Sequence, residues 1–177
     1  MDPGARDAAI LASDEELVRQ CDVDRYRASG PGGQHRNKTE SAVRVRHRAT
    51  GVQAHADDSR SQHENKARAV KRLRAHLALE LRAPVDLATW APSPRLAALV
   101  DGGAARLGEK TRQTAEFWVA MAALLDLVFA CDVEVSTAGE RLGLGTAPLA
   151  KLLTADEQVL RTINQERARR SLRPLRG

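Results

Sequence analysis

Gln34 is where any chemistry in this chain has to start, because the loop that ends on it brings little else with it. Gly30-Pro31-Gly32-Gly33 places three glycines and a proline in four positions, a run that cannot join a helix or a strand. Each glycine can take φ > 0, and none has a side chain to hold the backbone away from a ligand. Pro31 stiffens the middle and pushes Gly30 out of the α region. The result is a narrow tip closed by one amide, with Arg27, Arg36 and Lys38 on its shoulders. Such a tip suits insertion into a tight pocket lined by phosphates. An amide does not titrate near neutrality, so Gln34 cannot be a general base. It can supply positioning: its backbone N–H and side-chain amide can donate to a developing oxyanion and orient a water. That device needs a substrate already activated by a larger machine.

Other chemistries are not encoded. The glycine run lacks the G-x-G-x-x-G spacing of a dinucleotide site, and no Gly-Lys-Ser/Thr follows at the distance a P-loop requires. No Ser-His-Asp or Cys-His arrangement is suggested, and neither a metal cluster nor a cofactor is expected. Cys21 and Cys131 are too few for a disulfide scaffold and read as small buried hydrophobes.

The run from Arg27 to Ala42, RASGPGGQHRNKTESA, resembles the GGQ motif of class I peptide chain release factors. The likeness continues through Val43-Arg44-Val45-Arg46-His47, Thr50-Gly51, and Arg60-Ser61-Gln62 with Asn65, covering roughly residues 21–83. The resemblance implies a loop that enters the ribosomal peptidyl transferase centre. Its partners are then the ribosome's large-subunit RNA and the P-site peptidyl-tRNA. Gly32, Gly33 and Gln34 become the catalytic tripeptide that promotes attack of water on the peptidyl-tRNA ester. Arg27, Lys38, Arg60 and Gln62 match family positions where contacts with ribosomal RNA are expected. In the family the equivalent of Gln34 is often N5-methylated, which implies a glutamine methyltransferase as a further partner. Arg36 departs from the family, which commonly has valine there.

Charge follows the loop. Residues 21–83 hold fourteen basic and seven acidic side chains, against a net +5 for all 177 residues, and all five histidines fall in the same stretch. Concentrated positive charge is what a phosphate-contacting module requires. The most apolar run, Phe117 to Cys131, is too short for a membrane span, which needs about 20 residues. The N-terminus is acidic and has no apolar signal core, so a cytoplasmic protein without membrane contact is expected.

The fold expected to position this loop is α+β: a small antiparallel sheet packed on a long helix, followed by an all-helical C-terminal domain. Residues 1–20 read as a loose tail to residue 12 and a short helix opened by the capping box Ser13-Asp14-Glu15-Glu16. Residues 21–83 form the GGQ domain. Cys21 to Arg27 alternates as a strand delivering the chain to the loop, and Asn37 to Ala42 is expected as a helical turn. Val43, Val45 and His47 alternate with Arg44, Arg46 and Arg48, then turn at Ala49-Thr50-Gly51 into Val52, Ala54 and Ala56. That is a hairpin with one apolar and one basic face. A long helix from Ser59 carries Ala67, Val70, Leu73, Leu77 and Leu81 inward, with Arg68, Lys71, Arg72 and Arg74 outward. Its cations join those of the hairpin as expected RNA contacts.

Residues 84–110 read as a connector holding one short helix near Arg95 to Val100, and residues 111–177 as a helical bundle. Trp118, Met121, Ala122, Leu125, Val128 and Phe129 mark its buried central helix. Thr137 to Leu144 followed by Leu149 to Leu153 has helix-turn-helix spacing about Gly143. The second helix offers only Lys151 as a charge and contains Pro148, whereas a DNA reader needs several donors there. The hairpin therefore reads as packing, with a DNA-binding regulator as the minor alternative. Thr154-Ala155-Asp156-Glu157 caps a last helix that runs into Arg167, Arg169, Arg170, Arg173 and Arg176. No codon-reading tripeptide is recognisable, so the architecture resembles the codon-independent ribosome-rescue hydrolases. The alternative is a non-catalytic ribosome- or RNA-binding factor that keeps the GGQ domain for docking.

Overall fold

Val43, Val45 and His47 are buried while Arg44 and Arg46 between them are exposed, and this alternation builds the sheet that organises the N-terminal half. A computed structural model describes residues 2–26, 41–103 and 108–176. It divides into one unit of Gly4–Glu80 and a second of Leu81–Gly177 with Met1–Pro3.

In the first unit, helices α1 (Pro3–Leu11) and α2 (Asp14–Arg19) precede strand β1 (Cys21–Tyr26). Strands β2 (Ala42–His47) and β3 (Gln53–Ala56) complete an antiparallel sheet of order β1-β2-β3. Helix α3 (Gln62–Glu80) packs across β2 and β3. The core between them is Val43, Val45, Ala54 and Ala56 against Ala69, Val70, Leu73 and Leu77. Each large side chain buried there contributes about 1.5–3 kcal/mol. On the edge strand Val23 stays 38 % exposed, because α3 does not reach over β1.

The caps and turns follow their residues. Ser13 Oγ accepts the Glu16 N–H while the Glu16 carboxylate accepts the Ser13 N–H, so the expected capping box starts α2. The β2–β3 turn closes through Gly51, whose φ of 74° is open to glycine, with its N–H donated to the His47 carbonyl at 2.8 Å.

Four expectations are corrected here. Residues 3–11 are helix α1, not a loose tail: Arg6 and Ile10, one turn apart, are both buried, and Ala9 lies between them. Ala42 opens β2 and does not close a helical turn; residues 37–40 of that expected turn lie outside the described residues. Ala67 is exposed and Ala69 takes its inward place, since the buried stripe runs Asn65, Ala69, Leu73, Leu77. Arg74 is buried, not outward: it donates to the Ile10 carbonyl and, at 2.6 Å, to Asp14.

The second unit is helical. Helices α4 (Pro94–Gly102), α5 (Glu109–Arg112) and α6 (Ala115–Ala130) are followed by α7 (Val135–Arg141), α8 (Thr146–Thr154) and α9 (Glu157–Arg169). α6 is buried on nearly all sides, from Phe117 to Val128, with α4, α5 and α7 against it. Its one buried charge, Asp126, accepts the Ala83 N–H at 3.0 Å and pairs with Arg82 at 3.2 Å, and that guanidinium lies over the Phe129 ring. Asp156 caps α9 through the N–H groups of Gln158 and Val159. The basic C-terminus leaves the helix after Arg169 and folds back, with Leu175 held by its N–H and carbonyl on Asn164. No described helix is long and apolar enough to cross a membrane.

Candidate functional site

The catalytic tripeptide read from the sequence, Gly32, Gly33 and Gln34, lies outside the described residues, as do Arg27, Arg36 and Lys38. What the structure gives is the frame around them. The chain leaves the sheet at Tyr26 and re-enters at Ala42, and these two residues are partners in the β1–β2 register. The segment between them is therefore closed at its base by strand pairing. That pairing follows from the alternation on β2, since a slip of one residue would expose Val43 and Val45.

The return stem is tied a second time. Asn65, fully buried, donates from Nδ2 to the carbonyls of Ser41 and Ser59, each at 2.7 Å. Its Oδ1 accepts the Ser59 N–H at 2.9 Å. Ser59 Oγ accepts the Ser61 N–H, and Ser61 Oγ accepts the Glu64 N–H at the start of α3. Exposed Arg60 and half-buried Gln62 stand on this knot of serines, so it fixes them with respect to Ser41.

The remaining expected RNA-contact residues divide by partner. Arg44 pairs with Asp24 at 2.9 Å. Arg48 donates to Asp22 at 3.4 Å and to the carbonyls of Cys21 and Arg19. Arg68 stands 3.8 Å from Glu64. Arg72 donates to the His55 carbonyl and to Asp58, and its guanidinium holds the Asp58 carboxyl below the usual range. Arg46, Arg60 and Lys71 are exposed and make no ion pair among the described residues. The outer face of the sheet is thus mixed, with acidic β1 answering basic β2. Behind it, His47 is buried, and desolvation, then the charge of Arg48, holds its imidazolium pKa below the ordinary value.

Among the described residues no cluster of His, Cys, Asp or Glu could hold a metal ion. The two cysteines are buried, and burial pushes both thiols up. The arrangement is a mount that ties Tyr26, Ser41 and Ala42 to the sheet and to the start of α3, with cations beside it.

Comparison with known proteins decides what the mount belongs to. Residues 15–89 match the RF-1 domain family. This segment is similar to an RF-1 domain. Within it the chain is 49% identical over 75 residues to peptide chain release factor 1 of Gluconobacter oxydans, which covers 42% of this chain and 20% of that protein. Peptide chain release factor 1 of Albidiferax ferrireducens is 51% identical over 75 residues, 39% of this chain and 20% of its own. Peptide chain release factor 2 of Buchnera aphidicola subsp. Baizongia pistaciae is 57% identical over 60 residues, 34% of this chain and 16% of its own. The likeness to class I release factors read from the GGQ run is therefore upheld over this domain. The chain spans about a fifth of the length of the curated relatives it matches.

Asn65 and the carboxylates of β1 were not among the expected site residues of the RF-1 domain. Asn65 had a signal: a poor helix former one turn before Ala69 and Leu73, on the stripe that must be buried. Asp22 and Asp24 had none, because their pairing with Arg48 and Arg44 depends on the strand register.

Proposed function

We propose that this protein promotes ribosome-dependent hydrolysis of the peptidyl-tRNA ester, with Gly32, Gly33 and Gln34 as the tripeptide that does so. The observation that carries the reading is the RF-1 domain match over residues 15–89, which encloses the whole glycine loop. In the reaction, water adds to the ester carbonyl carbon and the bond to the tRNA ribose oxygen breaks. The peptide leaves as a carboxylic acid, and the proton passes to the ribose oxygen. Gln34 contributes by holding the water and donating to the oxyanion. Arg46, Arg60 and Lys71, with Arg27, Arg36 and Lys38, supply contacts to large-subunit RNA. The other expected contacts, Arg44, Arg48, Arg68 and Arg72, act there while sharing their charge with carboxylates of the domain itself, and Gln62 adds a neutral contact. Gln34 is also a candidate for a glutamine methyltransferase, and the setting is the cytoplasm.

The finer proposal is rescue of stalled ribosomes without reading a stop codon. It is supported by residues 90–177, which lie beyond the match, whose described residues are mostly helical, and whose sequence has no recognisable codon-reading tripeptide. The test is release of labelled peptide from ribosomes stalled on truncated mRNA and from ribosomes paused at a stop codon. Release on the first alone is expected. Release only at the stop codon overturns the rescue proposal, and inactivity on both with binding intact removes the enzyme.

A second reading, docking without catalysis, is favoured by Arg36 in place of the family's usual valine. Gln34→Ala separates the two. Catalysis predicts a lower single-turnover rate on saturated ribosomes with affinity unchanged; docking predicts no change in cellular function.

A further inference from the structure

We infer that Asn65 is the positioning residue of the glycine loop, the side chain that sets where the loop's return stem stands against the start of α3. The inference rests on the hydrolytic reading proposed above and assigns a role to a residue outside the tripeptide.

Both donors and the oxygen of this side chain are engaged. Both Nδ2 hydrogens go to carbonyls, Ser41 and Ser59, and Oδ1 takes the Ser59 N–H. The amide is fully buried, so any unmade bond would carry a desolvation penalty. The bonds to Ser59 can be read as local structure, since they brace the turn before α3. The bond to Ser41 cannot. Ser41 is 24 positions earlier in the chain and immediately precedes β2, at the point where the loop rejoins the sheet. A helix start needs no such partner, and the stripe below, Ala69 and Leu73, would accept an apolar residue in place of Asn65. Asparagine is also a poor helix former, so its place in the first turns of α3 is not explained by propensity.

The geometry selects this residue type. A carboxylate here would set an oxygen against two carbonyl oxygens, and alanine would leave all three backbone groups without their partner. Only the amide offers two donors and one acceptor at that size. Its effect is to lock Ser41 to Ser59, and through Ser59 to Arg60 and Gln62. Gln34 is seven residues upstream of Ser41, and Ser41 is the described residue nearest to it along the chain, so the stem is the point from which the loop is aimed. Positioning of a catalytic amide is sensitive at this scale: displacement of a reacting group by about 1 Å can cost on the order of a hundredfold in rate.

The experiment uses the full chain with Asn65→Ala, Asn65→Asp and, as a control for stability alone, Leu77→Ala. Leu77 is fully buried on the same helix, well down from the stem. Each variant is measured for thermal midpoint, for ribosome affinity, and for single-turnover peptide release on saturated ribosomes stalled on truncated mRNA, at a temperature where all are folded. Hydrogen exchange at residues 41–45 is followed in the free protein. Both Asn65 variants are expected to lose about 10- to 100-fold in release rate with affinity held within about twofold, while Leu77→Ala keeps its rate despite an equal or larger loss of thermal midpoint. Exchange at residues 41–45 should rise in the Asn65 variants beyond its rise in Leu77→Ala. A release rate that follows the thermal midpoint across all three variants overturns the inference, as does a loss that falls on affinity alone. If the unmodified protein releases no peptide either from these ribosomes or from ribosomes paused at a stop codon, the hydrolytic reading fails by itself. The exchange measurement still decides Asn65, because an unchanged stem in Asn65→Ala excludes a positioning role.

Discussion

Arg44 donates to Asp24 across the β1–β2 pair, with Nη2 2.9 Å from Oδ2, and the two residues are direct partners in the strand register. Both side chains are about half exposed, so the pair itself adds little to stability, at most about 1 kcal/mol. Its importance is for charge. A guanidinium already facing a carboxylate releases fewer counterions when it meets a phosphate than one with no partner. Arg46, next along the same face, has no ion pair among the described residues. Arg46→Ala should therefore flatten the log–log salt dependence of ribosome binding by about 0.7–0.9, and Arg44→Ala by less. Asp24→Asn should steepen it by freeing Arg44. Titrations of ribosome binding at several salt concentrations check this; equal effects of Arg44→Ala and Arg46→Ala would show that Asp24 gives up its partner on binding.

His47 predicts a pH dependence of stability. Its Nε2–H donates to Gln20 Oε1 at 3.2 Å, and Nδ1 accepts from the Thr50 hydroxyl at 2.9 Å, which fits the neutral ring. Burial first, and the Arg48 charge second, lower its pKa in the folded state. An unfolded histidine takes up its proton near about pH 6.5, so below that value the unfolded chain binds more protons than the folded one. The stability contribution is whole above the unfolded pKa and is lost as pH falls from there towards the folded value. Urea midpoints measured between pH 5 and 8 should fall on the acid side, and His47→Gln should flatten that fall.

The sheet and α6 were legible because their signals are local. Alternation over Val43 to His47 is a period of two that nothing else explains, and the run from Phe117 to Val128 can only be interior. Arg74 was not legible, because its partners, Ile10 and Asp14, are 64 and 60 positions away and belong to helices whose docking no period announces. Helix α1 escaped for the same reason: its apolar face is short, and one of its buried residues is Arg6. For the candidate site, the glycine loop was read from its glycines and from the likeness of RASGPGGQHRNKTESA to the GGQ motif, and its residues lie outside the described ones. The ties of its stem to Asn65 were hidden, because a backbone carbonyl leaves no mark in the sequence.

Gly139 fixes the joint between α7 and α8. A Cβ there would stand 2.9 Å from the Leu144 carbonyl oxygen and 3.6 Å from Gly145, all backbone, so the turn would have to move. Overpacking of this kind costs about 1–3 kcal/mol, which exceeds the helix-propensity gain of up to about 1 kcal/mol from glycine to alanine. Gly143, at φ 66° with open space around it, pays only for its backbone conformation, about 1–2 kcal/mol. Both substitutions to alanine should destabilise the helical unit. Both tryptophans, Trp90 and Trp118, lie in residues 81–177, so urea unfolding followed by their fluorescence reads that unit. A stabilised Gly139→Ala would mean that the α7–α8 joint yields more easily than its backbone contacts imply.

Arg74 ties the N-terminal helices to α3, and its two bonds should differ in worth. The side chain is 9 % exposed, whereas Asp14 at the other end of the ion pair is 59 % exposed. Asp14 can return to water at little cost when its partner is removed, and an ion pair with one end in solvent is worth about 0–1 kcal/mol. The bond to the Ile10 carbonyl is different. That group is in the last turn of α1, where carbonyls have no partner within the helix, and the bond is buried. Arg74→Met, which keeps the apolar stem, should cost about 1–3 kcal/mol, mostly from this carbonyl left unsatisfied. Asp14→Asn should cost less than about 1 kcal/mol, part of it the lost charge at the first turn of α2. The double variant then gives a coupling no larger than the ion pair allows. Denaturant unfolding supplies the free energies, and hydrogen exchange across residues 5–11 locates the damage: Arg74→Met should release α1 while β2 and β3 stay protected. A coupling of about 2 kcal/mol or more between Arg74 and Asp14 would assign the tie to the ion pair, against the carbonyl bond argued here.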